Sequence, residues 1–262
     1  MSRYTQMFDR LRGEGAFGAF VMLGDPDLQA SAALLCNLVE AGADMIEVGI
    51  PFSDPVADGP VIQAAARRAL EAGVKVGDCL ELIEGFRALF PNVPIGILTY
   101  ANIVMSHAGF ARDAAVAGAD SLLIADIPAL EAEPFVQDME QAGIAPVLIA
   151  AANTPLPALR RIAQFSKAYT YCVSRAGITG THVGGRFDPD LVVRLASLGA
   201  PPAIFGFGIS RPEHVRAALA AGARGIICGS AIVDESARGG DVTELVRSLK
   251  AATRERLDAA MN

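Results

Sequence analysis

The stretch Ala41-Gly-Ala-Asp-Met-Ile-Glu-Val-Gly-Ile50 decides the fold. An Ala/Leu-rich segment of helical period runs into a glycine, and a short apolar run follows at once. A glycine just past a helix takes the left-handed conformation that satisfies the last carbonyls, so the stretch reads as a helix-to-strand turn. The device recurs: Ala117-Gly-Ala-Asp120 precedes Ser121 to Ala125, Ala142-Gly-Ile-Ala145 precedes Pro146 to Ala150, and Ala221-Gly-Ala-Arg224 precedes Gly225 to Cys228. Apolar runs at 17–23, 45–50, 94–99, 120–125, 146–150, 168–173, 202–206 and 225–228 make eight strand candidates. Helix-patterned segments alternate with them, as in Asp27 to Glu40, where Asp25-Pro26 starts the helix and Leu28, Leu35, Leu38 and Val39 share a face. Short, nearly continuous apolar strands alternating with helices make a parallel sheet covered on its faces. Eight such units in 262 residues favour a closed (β/α)8 TIM barrel, an α/β fold that runs to about 250 residues as one unit. An extra helix is expected at the N-terminus, and another after the second strand, where helical stretches near 61–72 and 78–89 precede the third. No linker-like shift divides the chain, so residues 1–262 read as a single domain.

Composition narrows the function. The chain is 52% hydrophobic and 19% charged, which suits a large core, and 26 of its residues are glycine. With 22 Lys+Arg against 29 Asp+Glu its net charge is −7, which argues against non-specific binding to nucleic acid or to an anionic membrane. Met1 to Arg10 lacks a signal-peptide core, and no apolar run has membrane-spanning length, so a soluble cytoplasmic protein is expected. Cys36, Cys79, Cys172 and Cys228 have no CxxC spacing and read as buried reduced thiols.

In such a barrel, function gathers at the carboxyl ends of the strands. In Met45 to Ile50, alternation turns Ile46, Val48 and Ile50 toward the helices and Met45, Glu47 and Gly49 into the barrel. A carboxylate there carries a desolvation cost and a raised pKa, which suits proton transfer. The alternative is a structural Glu47 satisfied by a neighbouring hydroxyl such as that of Tyr169 on the sixth strand. The rigid loop Pro51-Phe-Ser-Asp-Pro-Val-Ala-Asp-Gly-Pro60 follows. Its Asp58 is a second candidate carboxylate, or else a cap for the helix starting near Pro60. Asp54, before Pro55, reads equally well as a turn former. Gly206-Phe-Gly-Ile-Ser-Arg-Pro212 after the seventh strand and Gly229-Ser-Ala-Ile232 after the eighth place small residues where barrels bind phosphate through backbone N–H groups. Ordinary tight turns are the alternative. Ser174-Arg-Ala-Gly-Ile-Thr-Gly-Thr-His-Val-Gly-Gly185 has the composition of a lid, or of a plain connector.

Schiff-base cleavage needs a lysine at a strand's carboxyl end. Lys75 lies between two helical stretches, Lys167 precedes the sixth strand, and Lys250 is in the terminal helix. A metal-dependent aldolase or epimerase needs His and carboxylates clustered at the rim, whereas His107, His182 and His214 read as surface residues. Carboxylate acid–base chemistry on a phosphorylated substrate in an apolar pocket remains.

Glu47-Val-Gly-Ile-Pro-Phe-Ser-Asp-Pro-Val-Ala-Asp-Gly-Pro60 resembles the signature of the tryptophan synthase α subunit family. The likeness continues in order through Phe20-Val-Met-Leu-Gly-Asp-Pro26, Tyr100-Ala-Asn102, Ala125-Asp-Ile-Pro128, Tyr169-Thr-Tyr171, Ser174-Arg-Ala-Gly-Ile-Thr-Gly180, Gly206-Phe-Gly-Ile-Ser210 and Gly229-Ser-Ala-Ile-Val233. Ile103 to Asp113 is short for the pattern, and His182-Val183 departs from it. The resemblance implies a carbon–carbon lyase that splits indole-3-glycerol phosphate to indole and glyceraldehyde 3-phosphate in tryptophan biosynthesis, without Schiff base or metal. It implies Glu47 as general acid–base and Asp58 as the partner of the indole N–H. Phe20, Leu98, Tyr171 and Phe207 match the family's indole pocket. Gly180, Gly208, Gly229 and Ser230 match its phosphate site, and Thr179 matches the lid residue that meets the catalytic Asp. Asp54, Pro55, Asn102, Asp126 and Pro128 match positions that communicate with a β subunit in an αββα complex. Pyridoxal phosphate would belong to that partner, and no cofactor is expected in this chain. Two other readings stay open: a self-sufficient indole-glycerol-phosphate lyase, and a silent barrel that only activates a β subunit.

Overall fold

The computed structural model describes residues 1–173 and 187–254. The predicted lid, with Thr179, Gly180 and His182, lies outside the described residues.

The chain enters through helix α1 (Arg3–Arg10) and then strand β1 (Ala16–Met22). Alternation follows: α2 (Leu28–Glu40), β2 (Met45–Gly49), α3 (Pro60–Glu71), α4 (Val76–Leu89), β3 (Ile95–Thr99), α5 (Ala101–Ser106), α6 (Phe110–Val116), β4 (Ser121–Ile124) and α7 (Glu133–Ala142). The second half runs β5 (Ala145–Pro146), β6 (Ile149–Ala151), α8 (Leu156–Phe165), β7 (Thr170–Val173), α9 (Pro189–Ser197), β8 (Ala203–Phe205), α10 (Pro212–Ala220), β9 (Gly225–Cys228), α11 (Ser230–Ala237) and α12 (Val242–Ala252). All ladders are parallel, in the order β5-β4-β3-β2-β1-β9-β8-β7-β6. The two ends of that order are joined covalently through Val147 and Leu148, so the ring is a barrel and the extra helices fall where the sequence placed them.

The four glycine turns form as expected. Gly42, Gly118, Gly143 and Gly222 have φ of +115, +99, +76 and +95°. In each, the next residue's N–H reaches back to a carbonyl of the preceding helix, as Ala43 does to Leu38 at 3.0 Å and Ala223 to Ala218 at 3.2 Å. These are six-to-one bonds of the Schellman type.

The fifth strand differs from its prediction. The run 146–150 is two pieces, β5 on β4 through Ser121↔Ala145 and Leu122↔Pro146, and β6 on β7 from Ile149↔Tyr171. Pro146 has no N–H to give to a ladder, and the chain leaves β4 just after it. Leu28 also departs: it begins α2 and is 38% exposed, while Leu35 and Leu38 are buried. Cys36 is half-buried, whereas Cys79, Cys172 and Cys228 are buried free thiols.

Two apolar layers result. Ile46, Val48 and Ile50 join the layer between strands and helices, and Met45 joins the barrel interior with Phe20, Tyr171 and Ile227. The amino end of the barrel is plugged by Tyr4, Met7 and Leu11, all buried. The Tyr4 hydroxyl shares a 2.8 Å hydrogen bond with Ser121 Oγ. Asp120 is held beside it by Arg3 at 2.8 Å and Arg87 at 2.7 Å. Lys250, the terminal-helix lysine, is buried against Asp44 at 2.7 Å, and Asp44 also accepts the Phe17 N–H. Among the described residues, no helix is long and apolar enough to cross a membrane.

Candidate active site

Strand β2 carries Glu47 into the barrel, where it is 1% exposed and in register with Phe20 of β1. Burial pushes its carboxyl from the ordinary 4.5 up to about 7, against the pull of one hydrogen bond. That bond is donated by the Tyr169 hydroxyl to Glu47 Oε1 at 2.7 Å. Tyr169, just ahead of β7, is thus the neighbouring hydroxyl anticipated from the sequence. Among the described residues Oε2 has no partner. The carboxyl is half satisfied, and a buried oxygen left so is poised to take or give a proton.

Asp58 lies at the end of the rigid loop that leaves β2. Its N–H donates to Pro55 O at 3.0 Å and its carbonyl accepts Gln63 Nε2 at 2.7 Å. The capping residue of α3 is Gly59, with no side-chain cap, so the Asp58 carboxyl is free of that duty. It turns inward instead, where burial raises it from 3.8 to about 6 against a hydrogen bond from Tyr100. Tyr100, on the residue after β3, also accepts the Ala57 N–H at 3.2 Å and stacks on Phe52 with ring centres 5.3 Å apart. Burial pushes the Tyr100 phenol up, so it stays a donor. Sequence reasoning quoted Tyr100 but gave it no role; its place beside Leu98 at the carboxyl end of a strand is the signal that could have found it. Asp54 is exposed, accepts from Ser53 Oγ and offers its carbonyl to Val56, as a turn former does.

A cavity of about 540 Å³ opens at the carboxyl ends of the strands. Phe20, Leu98, Tyr171 and Phe207 line it, as do Asp58, Gly208, Gly229 and Ser230. The Tyr171 and Phe207 rings meet edge to face at 6.0 Å. Glu47 is not in the lining: its bond to Tyr169 holds it behind the wall. Gly206 exists because the Tyr171 ring occupies the place of a Cβ, and a Cβ on Gly229 would stand 3.3 Å from Phe20. Gly208 has φ +76°. Ile209 O accepts from Cys228 Sγ at 3.2 Å and the Ser210 N–H donates to His214 Nδ1 at 3.3 Å, so the loop after β8 is pinned near its far end. α11 begins at Ser230, and the N–H groups of its first turn have no acceptor within the helix. Small residues in a loop beside a helix N-terminus are an arrangement that can meet an anion with backbone amides. His214, read as a surface residue, and Arg211 and Arg238 also line the cavity. Arg238 is tied to Asp234 at 2.7 Å.

A family model described as tryptophan synthase alpha chain matches residues 8–261. The chain belongs to the tryptophan synthase alpha chain family. A tryptophan synthase alpha chain from Shewanella amazonensis is 47% identical, over 95% of this chain and 96% of its own. One from Corynebacterium efficiens is 42% identical, over 97% and 100%. A solved structure of Mycobacterium tuberculosis tryptophan synthase superposes with a TM-score of 0.87 at 31% identity, covering 97% of this chain and 98% of that one. As a tryptophan synthase alpha chain, the protein is a lyase of tryptophan biosynthesis with a TIM-barrel fold.

The other positions singled out in this alpha chain also lie at the carboxyl ends of the strands. Asp54, Asn102, Asp126 and Pro128 are exposed and Pro55 is half-buried, on the segments that leave β2, β3 and β4. Asp126 Oδ1 accepts the Ala101 N–H at 2.8 Å, which ties two of those segments together. Val56, Met105 and Leu130 stand exposed among them, at 69%, 71% and 55%. Among the described residues, no group of three or more His, Cys, Asp or Glu side chains could hold a metal ion.

Proposed function

We propose that Glu47 and Asp58 carry the retro-aldol cleavage of indole-3-glycerol phosphate. The alpha chain cleaves this substrate for tryptophan biosynthesis with a beta subunit. The observation that supports the reading is the pair of buried carboxyls with raised pKa values, about 7 and about 6, Asp58 in the lining of a largely apolar cavity and Glu47 behind its wall. Phe20, Leu98, Tyr171 and Phe207 receive the indole ring. Gly208, Gly229 and Ser230, with Gly180 of the predicted lid, hold the phosphate end, and Thr179 of that lid meets Asp58.

Protonation of indole C3 makes an iminium-like ring, which is the electron sink that a Schiff base would otherwise supply. Glu47 gives that proton and receives the one from the C3′ hydroxyl, so the bond between C3 and the glycerol carbon breaks as the aldehyde forms. A group that titrates near neutrality does both well. Asp58 accepts the indole N–H and stabilises the positive charge growing on the ring, an effect worth about 3–4 kcal/mol for comparable charge-stabilising groups. Tyr100 keeps Asp58 ionised and aimed. Glu47 must leave Tyr169 and rotate toward the cavity, so the arrangement seen is a resting one. Carboxylate chemistry draws on no cofactor in this chain, and pyridoxal phosphate would sit in the beta subunit.

The same reading takes residues 1–262 as one barrel domain, places it in the cytoplasm and assembles it as αββα. The exposed Val56, Met105 and Leu130 beside Asp54, Pro55, Asn102, Asp126 and Pro128 support that face as the beta-subunit contact. Glu47→Gln tests the chemistry: in the assembled complex, indole release should fall at least ~100-fold. Release at a near wild-type rate would overturn the role of Glu47.

A further inference from the structure

His214, the third residue of α10, is half-buried and lines the reaction cavity together with Gly208, Gly229 and Ser230. The Ser210 N–H donates to its Nδ1 at 3.3 Å, and Ser210 Oγ lies 3.4 Å from the same nitrogen. An amide donates only to a ring nitrogen that carries no proton. The ring proton therefore sits on Nε2, and the backbone of the loop after β8 fixes the tautomer. Among the described residues Nε2 has no hydrogen-bond partner.

The charges around the ring decide what that N–H meets. In the described lining, Asp58, Asp234 and Glu235 stand against Arg211 and Arg238. Each arginine has a carboxylate of its own segment as partner. Arg238 holds Asp234 at 2.7 Å and Glu235 at 3.4 Å, and Arg211 faces Glu213 at 3.8 Å. The two arginine side chains are 65% and 64% exposed, so water and salt screen the attraction they keep. A phosphate entering here meets no surplus of positive charge and must be held by N–H donors. We propose that His214 is a binding residue for the phosphate end of the substrate, its Nε2–H donating to a phosphate oxygen beside Gly208, Gly229 and Ser230. The inference rests on the reading that those three hold the phosphate. It adds a side chain to them, one that donates as a fixed neutral N–H and leaves the Ser210 bond intact.

Two amide side chains separate the jobs of the two ring nitrogens. His214→Asn puts a carbonyl where Nδ1 accepts from Ser210, but does not reach the phosphate. His214→Gln extends an N–H donor to the place of Nε2, but gives up the Ser210 bond. The full chain is titrated with inorganic phosphate at pH 8 and followed by its amide spectrum. His214→Asn should bind about tenfold more weakly than wild type, and His214→Gln within about twofold of it. KM for the phosphorylated substrate should follow the same order, with a smaller effect on kcat. The reverse order would make His214 a support of the loop alone, and equal binding by all three would leave it no part; either overturns the proposal. The wild-type ring gives a measurement that needs no variant. Its nitrogen resonances should show a bare Nδ1 and a protonated Nε2, and phosphate should shift Nε2 more than Nδ1. A proton on Nδ1, or an unmoved Nε2, also overturns the proposal. Phosphate binding of the expected order in a chain that cleaves nothing would strike the reaction reading and leave His214 in its role, whereas a wild type that binds no phosphate would strike both.

Discussion

Replacing Glu47 with glutamine should stabilise the protein, and by an amount that grows with pH. In the unfolded chain the carboxyl releases its proton near 4.5; in the native barrel it keeps it up to about 7, because the charged form is denied water. Below the unfolded value both states are protonated and the native state carries no penalty. As pH rises past it, the unfolded state ionises first, and stability is lost until the native carboxyl also ionises. The difference of about 2.5 pKa units corresponds to ~3 kcal/mol at full ionisation. On the linkage relation the native state is penalised by ~1 kcal/mol near pH 5.5 and by ~3 kcal/mol near pH 8.5. The amide that replaces the carboxyl accepts the same Tyr169 hydroxyl through its carbonyl oxygen and has no charge to bury. Urea unfolding of both proteins at the two pH values checks this. The advantage of Glu47→Gln should widen by ~2 kcal/mol between them. A difference flat with pH, or one that narrows toward alkali, would refute the assignment of a desolvated, ionisable Glu47.

Tyr169→Phe removes the bond that favours the charged form of Glu47. A bond to a charged group contributes about 1.5–3 kcal/mol, so the Glu47 limb of the pH profile of kcat/KM should move about 1–2 units toward alkali; an unmoved limb refutes the coupling. Gly229→Val crowds Phe20 and the amides at the start of α11, and should raise KM for the phosphorylated substrate ~tenfold with a smaller effect on kcat. An unchanged KM removes Gly229 from the phosphate site. Lys250→Met leaves Asp44 buried with the Phe17 N–H and the more distant Arg10, and should lower unfolding stability by about 3–5 kcal/mol without changing kcat.

The periodic part of the fold was legible because its cause is local. A glycine that must take positive φ, followed by a β-branched run, announces itself in the chain at Gly42, Gly118, Gly143 and Gly222. The break in the fifth strand was not legible, because it depends on where β4 stops and β7 begins to pair. Pro146 inside the run was the one hint. Among the site residues, Glu47 could be turned inward by alternation alone, and its neighbour Tyr169 could be named. Whether the carboxyl faces the cavity or Tyr169 is a rotamer choice that no pattern encodes. The Tyr100–Asp58 bond joins residues on the segments that leave two different strands, and His214 reaches the cavity only because α10 starts where the loop after β8 ends. The resemblance singled out Phe20, Leu98, Tyr171, Phe207, Gly208 and Gly229, which line one cavity; the tyrosine ring at Gly206 and the phenylalanine edge at Gly229 needed the packed barrel.

The plug of Tyr4, Met7 and Leu11 at the amino end has a consequence for traffic. A vessel sealed at the bottom imposes an order of departure on whatever is made inside it. With a single mouth, the deeper product waits for the shallower one, and turnover is paced by the molecule nearest the opening.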